Sequence, residues 1–398
     1  MKHKKINLLT LSFVLAIGMT ACSNDDDVQI EIPAEERVEV YNDFNGRITY
    51  HNEPLEAYDD GSGKTANASG FTYVADISAP VLQGKTMSAT GIAVQGNKAY
   101  VSYHWNEKEG DYAGAIEVID ISQPAQPSLI SGLYFMDTDL NELDVQGNEV
   151  YAVGGRSLSS SGYDANFTSG GVVEVVRLQG GTLTNQVDEA PIPAFSGNSV
   201  FRAGNSLYCV SGNTGGGVFK LDLKKNNYLN VTNSDYYDNS KYGVNEGSIY
   251  AFLRGGPNSE LHIHNSNNFN PGSKTVIPLA SPTAPEDGKK VMRVDFPNNV
   301  AYVSSGSYGL HAYDVNDPSG TAVQSFTTSG NALVNGVDYD HNYVFAAKGS
   351  EGLYILDKNT MTNIVANFAF TGSANYVKSS PQNVFIAHGR GGLKILSK

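Results

Sequence analysis

The chain has 398 residues, with 27 basic and 41 acidic side chains and a formal net charge of −14. Phosphate binding needs clustered Lys and Arg, so this charge disfavours nucleic acid and anionic lipid as ligands. Glycine (42 residues) and tyrosine (23) are abundant. Beyond the N-terminal signal we find no convincing amphipathic helix and no segment apolar enough to cross a membrane, and short β-branched and aromatic runs alternate with turn residues. The sequence is typical of an all-β protein.

Residues 1–21 have the three zones of an export signal. A basic start is followed by an apolar run over residues 6–17 and by small or unbranched residues directly before Cys22. The run is too short to span a bilayer comfortably, and its flanks suit a cleaved signal. The segment resembles the bacterial lipobox, with Met19 where leucine is commonest, which implies a lipid such as palmitate on Cys22. A plain signal peptide with an incidental cysteine is the alternative.

Residues 22–65 are acidic. The first of them, Ser23-Asn24-Asp25-Asp26-Asp27 after the cysteine, resemble the export signal of Bacteroides-type lipoproteins and imply the outer face of the outer membrane; a merely solvated tether is the alternative. Removing the signal leaves 24 basic and 41 acidic residues, a net charge of −17. We predict a mostly flexible tether over 22–65, although short strands such as 47–50 could dock on the folded body.

Cysteine usage limits how the fold is held together. Cys22 would be acylated, which leaves Cys209 alone and rules out a disulfide within the mature chain. Cys209 lies in an apolar run, so we expect it to be a small buried hydrophobic residue.

The rest of the chain repeats with a period of about forty to fifty residues. One strand ends in a Gly-Asn turn and leads into a second strand, and a glycine-rich turn leads into a third. The copies of the first unit lie at 92–101, 143–152, 200–209, 294–303, 337–346 and 377–386. The copies of the third strand lie at 114–120, 217–222, 309–314, 352–357 and 392–396. Four-strand units of this period predict propeller blades, since packing blades in a ring buries both faces of each sheet.

Counting first strands predicts a seven-bladed β-propeller with four-stranded blades over residues 66–398. The predicted first strands lie near residues 90, 141, 198, 249, 291, 333 and 375. The fourth copy, 236–281, is degenerate, so six or eight blades are alternatives. The last repeat stops after its third strand, whereas residues 71–77 form a strand with no blade of its own. We expect this N-terminal strand to close the ring as the missing outer strand, which removes an exposed sheet edge.

A turn motif follows several third strands. Asp120-Ile121-Ser122-Gln123-Pro124, after the strand 116–119, resembles the LVIVD repeat of bacterial surface propellers, and residues 76–80 and 314–318 are similar. The resemblance covers roughly residues 71–398 and implies the propeller fold, with little implication for function. Blade two departs from it, with Arg177 where the aspartate belongs, and blade four lacks it. The aspartate can bond the turn backbone, and the proline ends strand pairing.

One face of such a propeller, around the central channel, is the usual ligand site. The loops between second and third strands would place there His104, Trp105, Arg156, Asn213, His264, Lys348, His388 and Arg390. In so acidic a chain, convergent cations favour an anionic or polyhydroxyl ligand such as an acidic sugar or a carboxylate. Trp105, the single tryptophan, could stack on a sugar ring. The alternative is that each side chain satisfies its own loop and points to solvent.

Two further columns appear when the first strands are aligned. The first holds Thr90, Asn141, Asn198, Asn335 and Asn375. We expect these side chains to tie neighbouring loops together, with ligand binding as the alternative. Three residues later come Asp144, Asp295, Asp338 and Lys378. Buried carboxylates must be paired or hydrogen-bonded, so we expect structural partners for them, with channel lining as the alternative.

Catalytic and metal signatures are weak. The chain has no Gly-x-Ser-x-Gly elbow, no His-Glu-x-x-His and no second thiol for redox work. His262 and His264 would lie on one strand face and could bind zinc, but no third ligand is evident. Residues 137–141 have the spacing of three calcium ligands, but Glu142 stands where a tight-turn glycine is required. We predict neither a metal nor a cofactor.

The leading hypothesis is a cell-surface lipoprotein that binds a glycan or a protein through its loop face without catalysis, attached to the membrane through its lipid alone. The first alternative is a polysaccharide lyase or hydrolase at the channel mouth, which convergent acids and bases with perturbed pKa values would support. The second is a structural subunit of an envelope complex, which a large exposed apolar patch would favour.

Overall fold

A computed structural model describes most of the chain after residue 36. The described residues are 37–59, 68–105, 112–159, 169–212, 215–222, 230–247, 249–256, 258–265, 269–279, 291–296, 298–327 and 330–398. Cys22 and the whole signal segment lie outside them. The described residues form strands and turns, and no helix among them is long and apolar enough to cross a membrane.

The strands form seven four-stranded blades, as predicted. Blades one and two contain β6 (Ser88–Gln95), β7 (Lys98–His104), β8 (Gly114–Asp120), β9 (Ser128–Phe135), β10 (Thr138–Gln146), β11 (Glu149–Arg156), β12 (Gly171–Gln179) and β13 (Thr182–Pro191). Blades three and four contain β14 (Ser199–Ala203), β15 (Ser206–Ser211), β16 (Gly217–Asp222), β17 (Asn230–Tyr236), β18 (Ser240–Glu246), β19 (Ile249–Arg254), β20 (Glu260–Asn265) and β21 (Lys274–Pro278).

Blades five and six repeat the same meander. They contain β22 (Met292–Asp295), β23 (Val300–Ser304), β24 (Leu310–Asp314), β25 (Ala322–Phe326), β26 (Gly336–Tyr339), β27 (Tyr343–Ala347), β28 (Leu353–Asp357) and β29 (Ile364–Phe368). The first strand of each blade contacts the first strand of the next, and that of blade seven contacts that of blade one. The seven sheets therefore form a closed ring around a central channel.

Blade seven draws on both ends of the chain. Its inner strands are β30 (Tyr376–Ser379), β31 (Asn383–Ala387) and β32 (Leu393–Ser397), and its fourth strand is β3 (Ala68–Ile77). β3 runs antiparallel to β32, with Ile77 opposite Leu393 and Thr72 opposite Ser397. The predicted closure by the segment 71–77 is confirmed.

Turn chemistry explains where the strands end. Gly96 and Gly147 have φ angles of 58° and 64°, the left-handed conformation that tight hairpin turns require and that glycine adopts without strain. At the far end of the third strand, the Asp120 carboxylate accepts a hydrogen bond of 2.8 Å from the Ser122 backbone N–H. Asp314 makes the same bond with Asn316. The aspartates of the repeat thus act within their own turns.

Blade four corrects one strand assignment. The residues near 249, predicted as its first strand, form the second strand, β19, whereas the first strand is β18, Ser240–Glu246. The turn between them uses Gly247, with a φ of 58°, where the clear repeats have Gly-Asn. Because this turn lacks the Gly-Asn pair, the first and second strands of blade four were not told apart from the sequence. The predicted range 236–281 nevertheless contains the whole blade.

Two strands precede β3, inside the segment predicted to be mostly a flexible tether. β1 (Val38–Tyr41) pairs with β9 at the outer edge of blade one, and β2 (Ile48–Glu56) pairs with β3 at the outer edge of blade seven. A two-stranded hairpin, β4 (Val81–Leu82) and β5 (Lys85–Thr86), connects β3 to blade one. We call residues 37–56 the N-terminal strap.

The strap is held by buried charges. Glu117 and Glu174 lie in the third strands of blades one and two, and both are 0% exposed. Glu117 accepts a 2.6 Å hydrogen bond from Tyr41 and lies 2.9 Å from an Arg47 nitrogen, while Arg37 donates to Glu174 at 2.5 Å. A carboxylate taken out of water needs a paired cation, so these strap residues neutralise charges that the blades bury.

We predict that Arg37→Met destabilises the fold by about 3 kcal/mol, because it leaves a buried carboxylate without its cation. Urea unfolding measures the loss. Arg177→Met is the matched control, because the Arg177 side chain is 43% exposed in its pairs with Asp188 (2.9 Å) and Glu149 and should contribute less than about 1 kcal/mol. Adding Glu174→Gln to Arg37→Met should restore part of the loss. Equal losses for Arg37→Met and Arg177→Met would contradict the assigned role of the strap.

Candidate functional site

The column of polar residues at the start of the first strands ties each blade to the next. Four of its five residues donate a side-chain hydrogen bond to a backbone carbonyl just before the equivalent position of the following blade. The bonds run from Thr90 to Leu140 (2.8 Å), from Asn141 to Gly197 (2.8 Å), from Asn198 to Ser240 (3.0 Å) and from Asn335 to Ala374 (3.5 Å). The expected structural role is therefore confirmed for these four residues, whereas Asn375 accepts a hydrogen bond of 2.7 Å from Ser373 next to its own strand.

The same residues also line a cavity of about 770 Å³ at one end of the channel, which we call the channel mouth. Its polar side chains are Ser88, Thr90, His104, Asn141, Asn198, Lys241, Asn335, Thr371, Ser373, Asn375, His388 and Arg390. This volume lies within the range of small-ligand sites. The residues that bond one blade to the next are therefore also residues that line the cavity.

The charge of the channel mouth is opposite to that of the chain. Lys241 and Arg390 are the cations among its described lining residues, and none of those residues is Asp or Glu. Burial lowers the pKa of the Lys241 ammonium. Desolvation of this kind penalises the charged form of a lysine side chain.

Two side chains at the channel mouth have defined hydrogen-bonding roles. His388 Nε2 lies 2.7 Å from the Thr371 carbonyl, which fixes it as the donor. Burial lowers the pKa of His388 and favours the neutral imidazole. Asn335 is 9% exposed, and its Oδ1 has no partner among the described residues, because its Nδ2 faces the Ala374 carbonyl. This oxygen is itself buried within the wall of the mouth.

Three of the eight predicted site residues line the channel mouth. His104 is the last residue of β7, and His388 and Arg390 lie in the loop after β31. Trp105 is adjacent but packs against the core, with Lys85 Nζ 4.3 Å from its ring centroid. One ring face is thus occupied by a lysine.

Two predicted cations are buried in ion pairs instead. Arg156 ends β11, is 1% exposed, and pairs with Asp137 at 3.1 Å and with Glu189. Lys348 is 2% exposed and donates to Glu351 at 2.6 Å. Loop-facing positions were expected for both, but each has a nearby carboxylate that accounts for its burial. Asn213 lies outside the described residues.

His264 lies in the third strand of blade four, opposite Tyr250, and not in a loop. The shifted register of that blade is the reason for this correction. It is 1% exposed and packs 4.9 Å from Phe269 and 5.6 Å from Phe252. Its neighbour on the same strand face, His262, pairs with Glu260 at 3.0 Å. In the described part of the chain no three His, Cys, Asp or Glu side chains converge as metal ligands.

Lys241 is the charged lining residue that was not predicted from the sequence. It occupies in blade four the place of Thr90 in blade one, five residues before the end of the first strand in both cases. The register of blade four follows from a turn signal in the sequence. This signal is Glu246-Gly247-Ser248, directly before the second-strand residues Ile249-Tyr250-Ala251.

Below the mouth, a network of five side chains crosses the channel axis. We call this network the plug. Glu142 accepts hydrogen bonds from Tyr376 (2.8 Å) and from Tyr242. Arg293 donates to the hydroxyls of Tyr242 (2.7 Å) and Tyr376 (2.6 Å) and to Asp338 (3.1 Å). These residues come from blades two, four, five, six and seven. A smaller cavity of about 340 Å³ is also lined by Glu142, Tyr242, Arg293 and Tyr376.

The charged column beside the plug also has partners. Asp295 lies 2.8 Å from Lys358, and Asp338 lies 3.4 Å from Lys378. Asp144 accepts backbone N–H bonds from Val145 and Arg202, both of 2.8 Å. The expectation of structural partners for these carboxylates is confirmed.

No protein-family model matches the chain, and no curated protein matches it in sequence. Among solved structures, the chain is similar to the computationally designed Ika8 protein at 10% identity and a TM-score of 0.49, over 80% of this chain and 98% of that one. The fold therefore rests on the strand pairing of the chain itself.

We predict that acid destabilises the protein through His264. Burial lowers its pKa from 6.5 to about 4, so the unfolded chain binds a proton before the folded chain does. The resulting loss of unfolding free energy is absent well above pH 6.5 and reaches about 3 kcal/mol as the pH falls to 4. Urea unfolding at several pH values should show a shallower slope for His264→Phe. An unchanged slope would contradict this assignment, and His341→Phe, away from this cluster, is the control.

Proposed function

We propose that this protein is a cell-surface lipoprotein whose propeller binds an acidic glycan at the channel mouth, without catalysis. The observation that carries the proposal is the charge contrast. A chain of net charge −14 places Lys241 and Arg390, and no described carboxylate, around a cavity of about 770 Å³. A cavity lined by cations, with no described carboxylate to repel an anion, attracts a carboxylate ligand.

The neutral part of the lining suits the rest of a sugar. The asparagine donors are committed to backbone carbonyls of neighbouring blades, which leaves the amide oxygens as the acceptors of these side chains. Sugar hydroxyls are donors that such oxygens can accept. A wall that offers both cations and acceptors therefore favours a hydroxylated acid over a simple inorganic anion.

The lining does not favour the alternative of a glycoside hydrolase. Those enzymes generally use a pair of carboxyl groups, one as acid and one as base or nucleophile. The described lining offers two histidines and no carboxyl group, and the His388 Nε2 proton is engaged by the Thr371 carbonyl. Binding is the simpler use of this geometry.

We predict that purified protein binds uronic-acid saccharides and that Arg390→Gln weakens this binding roughly tenfold, since a charge-assisted hydrogen bond contributes about 1.5 kcal/mol or more. Isothermal titration against galacturonate and glucuronate saccharides, with the matching neutral sugars as reference, measures the effect. Arg177→Gln removes the same charge from the surface and should leave binding unchanged. Equal binding of neutral and acidic sugars, or none of either, would contradict the proposal.

The cellular location has its own test. We predict that the wild-type chain carries an acyl group on Cys22 and is exposed at the cell surface, as its lipobox-like segment implies. Cys22→Ser should release the protein from the membrane fraction, as read by fractionation and by mass spectrometry of the N-terminal peptide. Cys209→Ser is the control, because that thiol is buried in the core. An unmodified, membrane-free wild-type protein would rule out the lipid anchor.

A further inference from the structure

The chain contains two Asn-Gly dipeptides, Asn45-Gly46 and Asn335-Gly336. Asparagine is a chemically labile residue, and most of all before glycine. The backbone nitrogen of the next residue can attack the side-chain amide carbon, and glycine has no side chain that hinders this approach. The attack needs a backbone that can rotate and a nitrogen that is not held in a hydrogen bond. The two dipeptides differ in their freedom to meet these conditions.

Asn45-Gly46 lies in an open turn of the N-terminal strap. Both residues are exposed, and the turn is closed by a 3.1 Å hydrogen bond from the Arg47 N–H to the Phe44 carbonyl. Gly46 has a φ of 70°, and no atom lies within 4 Å of the position that a Cβ would occupy there. Among the described residues no group accepts a hydrogen bond from the Gly46 N–H. The Asn45 side chain donates to Asp43 at 2.8 Å, in a contact that is exposed to solvent.

Asn335-Gly336 is packed into the ring instead. Asn335 is 9% exposed, and its backbone N–H donates to the Ala347 carbonyl at 2.8 Å. Gly336 begins β26, and a Cβ at this position would lie 2.9 Å from the Tyr376 Cα of the neighbouring blade. Rotation of this backbone would therefore disrupt the contact between two first strands. The molecule thus contains one open and one closed copy of the same reactive pair.

From this contrast we infer that Asn45 is a site of spontaneous modification that loosens the N-terminal strap. The Gly46 nitrogen forms a bond with the Asn45 Cγ, and the side-chain nitrogen leaves as ammonia with the proton of the attacking nitrogen. A succinimide ring remains. Water then opens either carbonyl of that ring, which gives aspartate or isoaspartate at position 45. Mild alkali speeds the reaction, because the backbone nitrogen attacks after it has lost its proton.

Isoaspartate disturbs the strap where its two strands meet. The main chain then passes through the side-chain carboxyl of residue 45, which adds one carbon to the turn. Tyr41, before the turn, donates to the buried Glu117 at 2.6 Å, and Arg47, after the turn, lies 2.9 Å from the same carboxylate. A longer turn shifts one of these groups away, so Glu117 loses part of the neutralisation that its burial requires. Aspartate adds a charge beside Asp43 but leaves the main chain unchanged.

The first test follows both dipeptides in the full protein. Wild-type protein is incubated in mildly alkaline buffer, natively and in urea, and is then digested at acidic pH, with an unincubated sample as reference. Mass spectrometry with fragmentation that distinguishes isoaspartate should show that Asn45 converts at least tenfold faster than Asn335 in the native protein. In urea the two should convert at similar rates. Equal native rates, or no native conversion of Asn45, would overturn the inference.

The second test measures hydrogen exchange of the β1 amides in the incubated protein. A fast-exchanging population should appear whose size follows the isoaspartate content. Asn45→Gln keeps an amide but cyclises far more slowly, because it would form a larger ring, so its β1 amides should remain protected. Asn45→Asp carries the charge on an unchanged main chain and should exchange like fresh wild type. Loosening by isoaspartate is wrong if incubated wild type exchanges no faster than incubated Asn45→Gln, or if fresh Asn45→Asp already exchanges as fast as incubated wild type.

Discussion

Every feature of this molecule depends on one strand pairing, the antiparallel contact of β3 with β32. A four-stranded blade cannot bury both faces by itself, so each of the seven needs a neighbour on either side. The ring provides those neighbours only if its first and last sheets meet, and the chain achieves this by placing a strand from its N-terminal part beside its last strand. The channel, the mouth and the plug all exist because that pairing fixes the circumference.

The channel is polar near its axis, but the polarity has two different uses. At the mouth, side chains of the first strands bond to backbone carbonyls of the next blade, and the same residues line the cavity. In the plug, charges and hydroxyls from five blades bond to one another across the axis. The first arrangement leaves a lined cavity, whereas the second fills the channel. A buried hydrogen-bond network that joins five blades favours one arrangement of blades over a shifted one.

The sequence predicts the repeated parts of the fold well and the unique parts poorly. Gly96 and Gly147 mark hairpins because their turns need a left-handed residue, and the segment 71–77 is recognisable as an unpaired strand. The column through Asn141 and Asn198 follows from alignment of repeats alone. Lys241 escaped because the turn of its blade departs from the common pattern.

Partners that are remote in sequence could not be foreseen. Glu174 looks like a polar residue of an ordinary strand, and its cation is Arg37, 137 residues earlier in a segment whose composition is that of a tether. Similarly, Arg156 and Lys348 are cations near loops, and only the positions of Asp137 and Glu351 decide that they are buried in pairs. Composition and periodicity carry no information about such contacts.

The N-terminal strap also gives the molecule a graded response to pulling. Tension applied from the N-terminal side reaches β1 before β2, and β2 before β3, because the strands follow one another along the chain. Detaching the four residues of β1 frees residues 37–47, which adds about 35 Å of extended chain. During that extension β3 still pairs with β32, so the N-terminal segment lengthens while the ring and the channel mouth keep their shape.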